Sequence, residues 1–320
     1  MMPGSEALGP TARPPFPFIV GCGRSGSTLL RAMCDGHPDL AVPPESHFVV
    51  QLAPRGRAAN RPFDPGAFVD QLAASERFRL WEIERDVIAA AFAASPPQDY
   101  PQAVRHVFGL WASARGKSRY ADKTPVYVLH IRELARVFPE AVFVHLVRDG
   151  RDVACSFLEL GWADSIEEAA MHWRLRVTRG RRAGRALPAG RYLELRYEDL
   201  VRDPGTQLRA MCSTIELPFS AAMLDHSDRA AEVMRTTGHP EYHRQLALPP
   251  TPGMRDWRRE LSAVDVARFE LLAGEALEEH GYERQERRPS ASVRRDVAAR
   301  WCRWQVHRVR RRVGRVFDRG

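Results

Sequence analysis

Gly21-Cys22-Gly23-Arg24-Ser25-Gly26-Ser27-Thr28 packs three glycines, two serines, a threonine and an arginine into eight positions. It follows Phe16–Gly21 (FPFIVG), a short apolar run ending in glycine that reads as a buried strand. It precedes Thr28–Cys34, whose apolar residues have helical spacing. A glycine-rich turn between a strand and a helix exposes successive backbone N–H groups, and the helix N-terminus adds positive potential. Ser27 and Thr28 add hydroxyl donors, so the stretch is expected to cradle a phosphate-like anion. An ordinary Gly/Ser turn without a ligand is the bland alternative.

Working outward, Ala141–Val147 (AVFVHLV) is a second buried strand and Arg191–Arg196 (RYLELR) a third. Helices are expected from Asp152, over Trp162–Arg182, over Thr206–Ile215 and over Ser262–His280, and a helical pattern runs from Phe68 to Leu110 with a break at Ser95–Pro101. The proline-rich residues 43–66 read as loop. Strands alternating with helices predict an α/β fold, a three-layer sandwich with a central parallel sheet. Trp162 and Trp173 are expected in the core. A loose leader is expected at 1–15, a domain at 16–284 with a helical insertion at 50–118, and a tail at 285–320.

Composition narrows the classes. With 320 residues, 44% hydrophobic and 28% charged, the chain is an ordinary globular mixture, not a rod or a wholly disordered polymer. Five widely spaced cysteines form no CxxC pair, which argues against a disulfide scaffold or structural zinc and fits a reducing cytosol. No secretory signal is read at the N-terminus, so a cytoplasmic location is expected. The net charge of +8 is concentrated at one end. Residues 286–320 hold 12 Arg and 3 acids, a net +9 that leaves about −1 for the rest. The body is therefore not a nucleic-acid surface by composition. In the tail, Val297, Trp301, Cys302, Trp304, Val306, Val309 and Val313 lie at helical spacings among the arginines. Such a basic amphipathic helix either docks on its own body or makes peripheral contact with an anionic membrane.

The Gly21–Thr28 turn approaches the P-loop pattern GxxxxGK[ST] but carries Ser27 where the lysine belongs, with Arg24 inside the loop as the cation. A second anion motif, Val147-Arg148-Asp149-Gly150-Arg151-Asp152-Val153-Ala154-Cys155-Ser156, leaves a strand and enters a helix. An arginine at the strand end and a hydroxyl farther along the helix can grip one phosphate from two sides. A surface ion pair of Arg148 with Asp149 or Asp152 is the competing reading. Together these motifs resemble the P-loop-like sulfotransferases that use 3′-phosphoadenosine 5′-phosphosulfate (PAPS). That resemblance implies that Gly23, Arg24, Ser25, Gly26, Ser27 and Thr28 bind the 5′-phosphosulfate and that Arg148 and Ser156 hold the 3′-phosphate. Arg196-Tyr197-Glu198-Asp199-Leu200 resembles the family's YEDL segment, which implies Tyr197 beside the adenine; a core aromatic is the other reading. Gly253-Met254-Arg255-Asp256-Trp257-Arg258 partly resembles the family's closing loop, with Arg255 and Arg258 both candidates for the 3′-phosphate.

Residues 24–45, RSGSTLLRAMCDGHPDLAVPPE, are similar to the tyrosylprotein sulfotransferases. The resemblance implies Arg24 as the group that stabilises the leaving oxygen, Glu45 as the base and Lys123 as a contact to the transferred sulfonate. His47 is the rival base, and an ion pair with Asp122 the competing role for Lys123. The implied reaction moves a sulfonate from PAPS to a hydroxyl acceptor without metal, releasing adenosine 3′,5′-bisphosphate. A glycan, a lipid, a small phenol and a peptide tyrosine are all open as acceptor. A nucleotide kinase with a degenerate P-loop and a non-catalytic nucleotide- or anion-binding protein are the rival functions. The His239-Pro240-Glu241-Tyr242-His243 stretch lacks the HExxH order and reads as loop.

Overall fold

The computed structural model describes residues 13–56, 61–225, 233, 255–285 and 290–299. In chain order the elements are β1 (Phe16–Gly21), α1 (Ser27–Asp35), β2 (Leu40–Ala41), α2 (Phe48–Gln51), α3 (Pro65–Ala73), α4 (Arg85–Ala94), α5 (Tyr100–Ser113), β3 (Arg119–Tyr120), β4 (Asp122–Lys123) and α6 (Ile131–Val137). They continue with β5 (Ala141–Val147), α7 (Gly150–Glu159), α8 (Ile166–Gly184), β6 (Tyr192–Arg196), α9 (Tyr197–Arg202), α10 (Pro204–Thr214), α11 (Trp257–Glu260) and α12 (Ala263–Glu279). The described residues fall into two compact units, one within 1–21, 26–146 and 180–252, the other within 22–25, 147–179 and 253–320.

The first unit is built on a four-stranded sheet of order β4-β1-β5-β6. β1 runs parallel to β4 on one side and to β5 on the other, with Phe16 opposite Ala141 and Phe18 opposite Asp122. Successive side chains of a strand point to opposite faces. Phe16, Phe18 and Val20 accordingly join one apolar core and Ile19 the other, while on β5 Phe143 joins the first and Val142, Val144 and Leu146 the second. Both faces are therefore covered, which is why β1 and β5 read as unbroken apolar runs.

The first core takes Phe68 of α3, Ile88 and Phe92 of α4, and Val104, Phe108 and Trp111 of α5. The helices of 50–118 thus form one layer of the fold. Each fully buried Phe or Leu here contributes roughly 1.5–3 kcal/mol. The second core takes Leu29, Leu30 and Met33 of α1 with Leu208 and Met211 of α10. The expected α/β architecture with a central parallel sheet is observed. Two details differ. Phe48–Gln51, read as loop, forms the short helix α2 and buries Phe48, Val49 and Val50. β4 had no apolar run to announce it, because it consists only of Asp122 and Lys123.

In the second unit, Val153, Ala154 and Phe157 of α7 pack with Trp173 and Val177 of α8 and with Phe269 and Leu277 of α12. Arg151, at 2% exposure, is held by Asp149 at 2.7 Å and Glu270 at 2.6 Å and lies over the Trp257 ring. A buried arginine is tolerated only when its charge and donors are matched this fully. Residues 291–299 are helical, and Val293 and Val297 pack on Ala267 of α12, so the start of the tail docks on this unit. Residues 300–320 lie outside the described residues, as does the His239–His243 stretch. Trp173 is in the core as expected, whereas Trp162 is 45% exposed, which corrects its core assignment. It sits in the α7–α8 turn after Gly161, whose φ is 65°, with its ring against Phe157 and close to Gly23.

Candidate functional site

In the anion loop, Arg24 and Gly26 both have left-handed backbone, with φ of 67° and 90°. A non-glycine residue held there costs energy that the surroundings must supply, and such residues cluster at functional sites. Gly26 is the N-cap of α1, and a Cβ on it would lie 2.3 Å from the Tyr197 ring. Only glycine meets both demands. Tyr197, the first residue of α9, therefore packs over the loop itself and also borders the second core. The Ser25 hydroxyl is buried and has no hydrogen-bond partner among the described residues.

In the second unit the Arg24 Nε–H donates to Ser156 Oγ at 2.9 Å. The resemblance implied that Arg148 and Ser156 hold one ligand phosphate between them; in this structure the Ser156 hydroxyl accepts from the Arg24 guanidinium. Arg148 lies 3.5 Å from Asp152, the competing ion pair. The Trp257 N–H donates to Asp152 at 2.9 Å, which ties α11 to α7. The structure also separates the two closing-loop arginines. Arg255 is partly buried and pairs with Glu159 at the end of α7 and with Glu260. Arg258 is 64% exposed and lies over the Trp257 ring.

In the first unit, β4 and the 42–47 segment assemble a charged cluster. Lys123 is buried, and its Nζ donates to Glu45 Oε1 at 2.6 Å. His47 Nε2 lies 3.1 Å from the other carboxylate oxygen. Lys123 thus pairs with Glu45, 78 positions away, and not with its neighbour Asp122. Consecutive strand residues point to opposite faces, so Asp122 and Lys123 are turned apart. The Ser46 N–H donates to Thr124 Oγ1 at 2.9 Å, and Ser46 Oγ lies 3.0 Å from Tyr127 Oη. His47 itself has φ of 42°, after Arg24 a second non-glycine residue here with positive φ.

The electrostatics follow from this packing. Burial works against an ionised Glu45, but the Lys123 ammonium and the His47 hydrogen bond prevail and hold its carboxyl well below the usual range. Burial lowers Lys123, with Glu45 opposing that shift and the nearby Arg31 adding to it. Burial raises Asp122 to about 6 against the pull of the Ser46 and Thr124 hydroxyls. No group of three or more His, Cys, Asp or Glu among the described residues is placed to hold a metal ion.

The left-handed turn after β1 suits an anion, and within the first unit the Lys123–Glu45 pair sets a cation against a carboxylate. The sequence profile of the sulfotransferase family matches residues 15–221. The chain belongs to the sulfotransferase family. Relatives of this sulfotransferase include the nodulation protein NoeE of Sinorhizobium fredii, 33% identical over 139 residues, which are 43% of this chain and 30% of that protein. Protein-tyrosine sulfotransferase 1 of Danio rerio is 23% identical over 220 residues, 67% of this chain and 56% of the relative. The chain thus spans less than two thirds of either relative. Among solved structures, the sulfotransferase domain of the Synechococcus PCC 7002 olefin synthase superposes with a TM-score of 0.60 at 26% identity, covering 87% of this chain and 99% of that one. The fold expected from the anion loop is therefore that of known sulfotransferases.

Proposed function

We propose that this sulfotransferase moves a sulfonate from PAPS to a hydroxyl acceptor by in-line transfer, with Glu45 as base. The observation that carries the reading is the Glu45 carboxylate held by Lys123 on one oxygen and His47 on the other, 21 residues beyond the loop arginine. The loop fits an anionic donor: its buried Ser25 hydroxyl has no partner among the described residues, and the backbone at Gly26 turns without a side chain. Gly23 to Thr28 would hold the 5′-phosphosulfate, Arg148, Ser156 and Arg255 the 3′-phosphate, and Tyr197 would border the adenine. PAPS supplies the activated sulfonate and, on S–O cleavage, the leaving adenosine 3′,5′-bisphosphate.

Arg24 stays protonated at any working pH, so it acts by charge and hydrogen bonding on the departing phosphate oxygen. The Ser156 hydroxyl fixes the direction of its guanidinium. Glu45 takes the acceptor proton as the new O–S bond forms. Paired with Lys123 it is ionised but a weak base. Once the Lys123 ammonium turns to sulfonate oxygens, Glu45 loses that partner and its affinity for a proton rises when the proton must move. This division of labour also gives His47 a role beside Glu45 instead of in its place. The acceptor is a hydroxyl compound; peptide tyrosine, a phenol, a glycan and a lipid all satisfy the chemistry.

The test is incubation with sulfur-labelled PAPS and a cell extract. Wild type labels an acceptor fraction. Arg24→Ala lowers turnover at saturating PAPS by about 10²–10³-fold, the loss seen when one transition-state donor is removed. Glu45→Gln lowers it by about 10²–10⁴-fold with PAPS affinity kept. Magnesium-dependent ATP turnover with no labelled product would instead make the chain a kinase.

A further inference from the structure

We propose that Arg31 and Asp35, one helical turn apart on α1, are positioning residues for Glu45: they clamp Val42 by both backbone groups and so fix the segment that carries the base. The inference rests on the sulfotransferase reading above. Residues four apart share one helix face. From that face the Arg31 Nε–H donates to the Val42 carbonyl at 3.0 Å, and the Val42 N–H donates to Asp35 Oδ1 at 3.1 Å. All three residues are buried, at 3%, 7% and 1% exposure. Lys117 Nζ braces the clamp from behind, donating to Asp35 Oδ1 at 3.2 Å and to the Leu40 carbonyl at 3.0 Å.

The two prolines after Val42 transmit the clamp to the base. Pro43 and Pro44 have fixed φ and no N–H, so they form a stiff two-residue arm. Glu45 stands at the end of that arm, and the next residue, Ser46, is held by Thr124 and Tyr127. The base therefore lies on a short rod anchored at both ends. Burying an arginine and an aspartate merely to hold a backbone costs desolvation that an apolar pair would avoid. The return is direction: a displacement of about 1 Å at a reacting group can cost about 100-fold in rate.

Arg31 also acts through charge. Among the described residues, Glu45 from the 42–47 segment and Arg31 from α1 act on the Lys123 charge, and Asp122, on the opposite face of its own strand, adds a weaker pull toward the charged form. Arg31 favours the neutral form of Lys123, so removing it should raise the pH at which Lys123 loses its proton. Loss of packing alone would not move that limb.

The experiment compares the full-length chain with Arg31→Met, Arg31→Lys and Asp35→Asn. It combines hydrogen–deuterium exchange with kinetics, using labelled PAPS and the extract fraction that wild type labels. In Arg31→Met and Asp35→Asn, amides of 42–47 should exchange about tenfold faster or more while β5 keeps its protection. In Arg31→Met, kcat should fall about 100-fold with the PAPS KM within about twofold, and the alkaline limb of the pH profile should move up. Arg31→Lys should restore most of kcat and the limb. Unchanged exchange at 42–47 in Asp35→Asn together with wild-type kcat overturns the clamp, whether or not Arg31→Met folds. Faster exchange with wild-type kcat overturns it too. Wild type that labels nothing sinks the sulfotransferase reading, while the exchange data still decide the clamp.

Discussion

At the scale of single residues, the charged groups on β4 are set by which face of the sheet they point to. Asp122 is fully buried near the Ser46 and Thr124 hydroxyls, and burial raises its carboxyl to about 6. The folded state thus binds this proton more tightly than the unfolded chain, whose aspartate titrates near 3.9. Stability from this group is fully present below about pH 4, falls as pH rises, and is lost above about pH 6. Asp122→Asn removes the titration. At pH 8 it should be more stable than wild type by up to about 3 kcal/mol, with a higher melting temperature, and the gap should close by about pH 3.5. Thermal unfolding at the two pH values checks this; a gap that does not change with pH would show that Asp122 stays ionised in the fold.

At the scale of elements, the β1–loop–α1 unit depends on one left-handed position. Gly26→Ala meets both an unfavourable φ and the Tyr197 ring. It should cost about 1–3 kcal/mol of stability and weaken binding of adenosine 3′,5′-bisphosphate in calorimetry. Gly109, in the middle of α5 with open space around its Cα, is the control. Gly109→Ala should stabilise by about 0.5–1 kcal/mol and leave nucleotide binding unchanged. Equal behaviour of the two variants would remove the loop conformation from donor binding. The elements differed in how far sequence announced them. β1 and β5 were legible because strands covered on both faces need continuous apolar residues. α1 was legible from its spacing. β4 was not, because two polar residues carry no periodicity and become a strand only by pairing with Phe18 and Ile19. The core position expected for Trp162 failed for a related reason: an apolar residue fits a core pattern, yet Trp162 follows the left-handed Gly161 between α7 and α8 and is exposed.

At the scale of the whole chain, charge is divided unevenly. Residues 286–320 carry a net +9. Val293 and Val297 anchor the start of this stretch on α12, which leaves the arginines of 300–320 to account for any attraction to anionic lipid. Deleting 301–320 should therefore weaken sedimentation with phosphatidylserine vesicles, more at low salt than at high salt, while transfer to a water-soluble acceptor is kept. Equal sedimentation of the shortened and full-length chains would dismiss the membrane role for the tail.

The amino-acid order alone determined the strand–turn–helix, the interval from Arg24 to Glu45 and the α/β class. These are local properties, fixed by periodicity, glycine and the chemistry of neighbouring side chains. Tertiary structure decided the partners. It put Lys123 on Glu45 instead of Asp122, Arg24 on Ser156, and Arg31 with Asp35 on Val42. It also set Arg255 against α7 and Arg258 in solvent. Such pairings depend on strand order and on which face each side chain takes, and neither is encoded by adjacent residues.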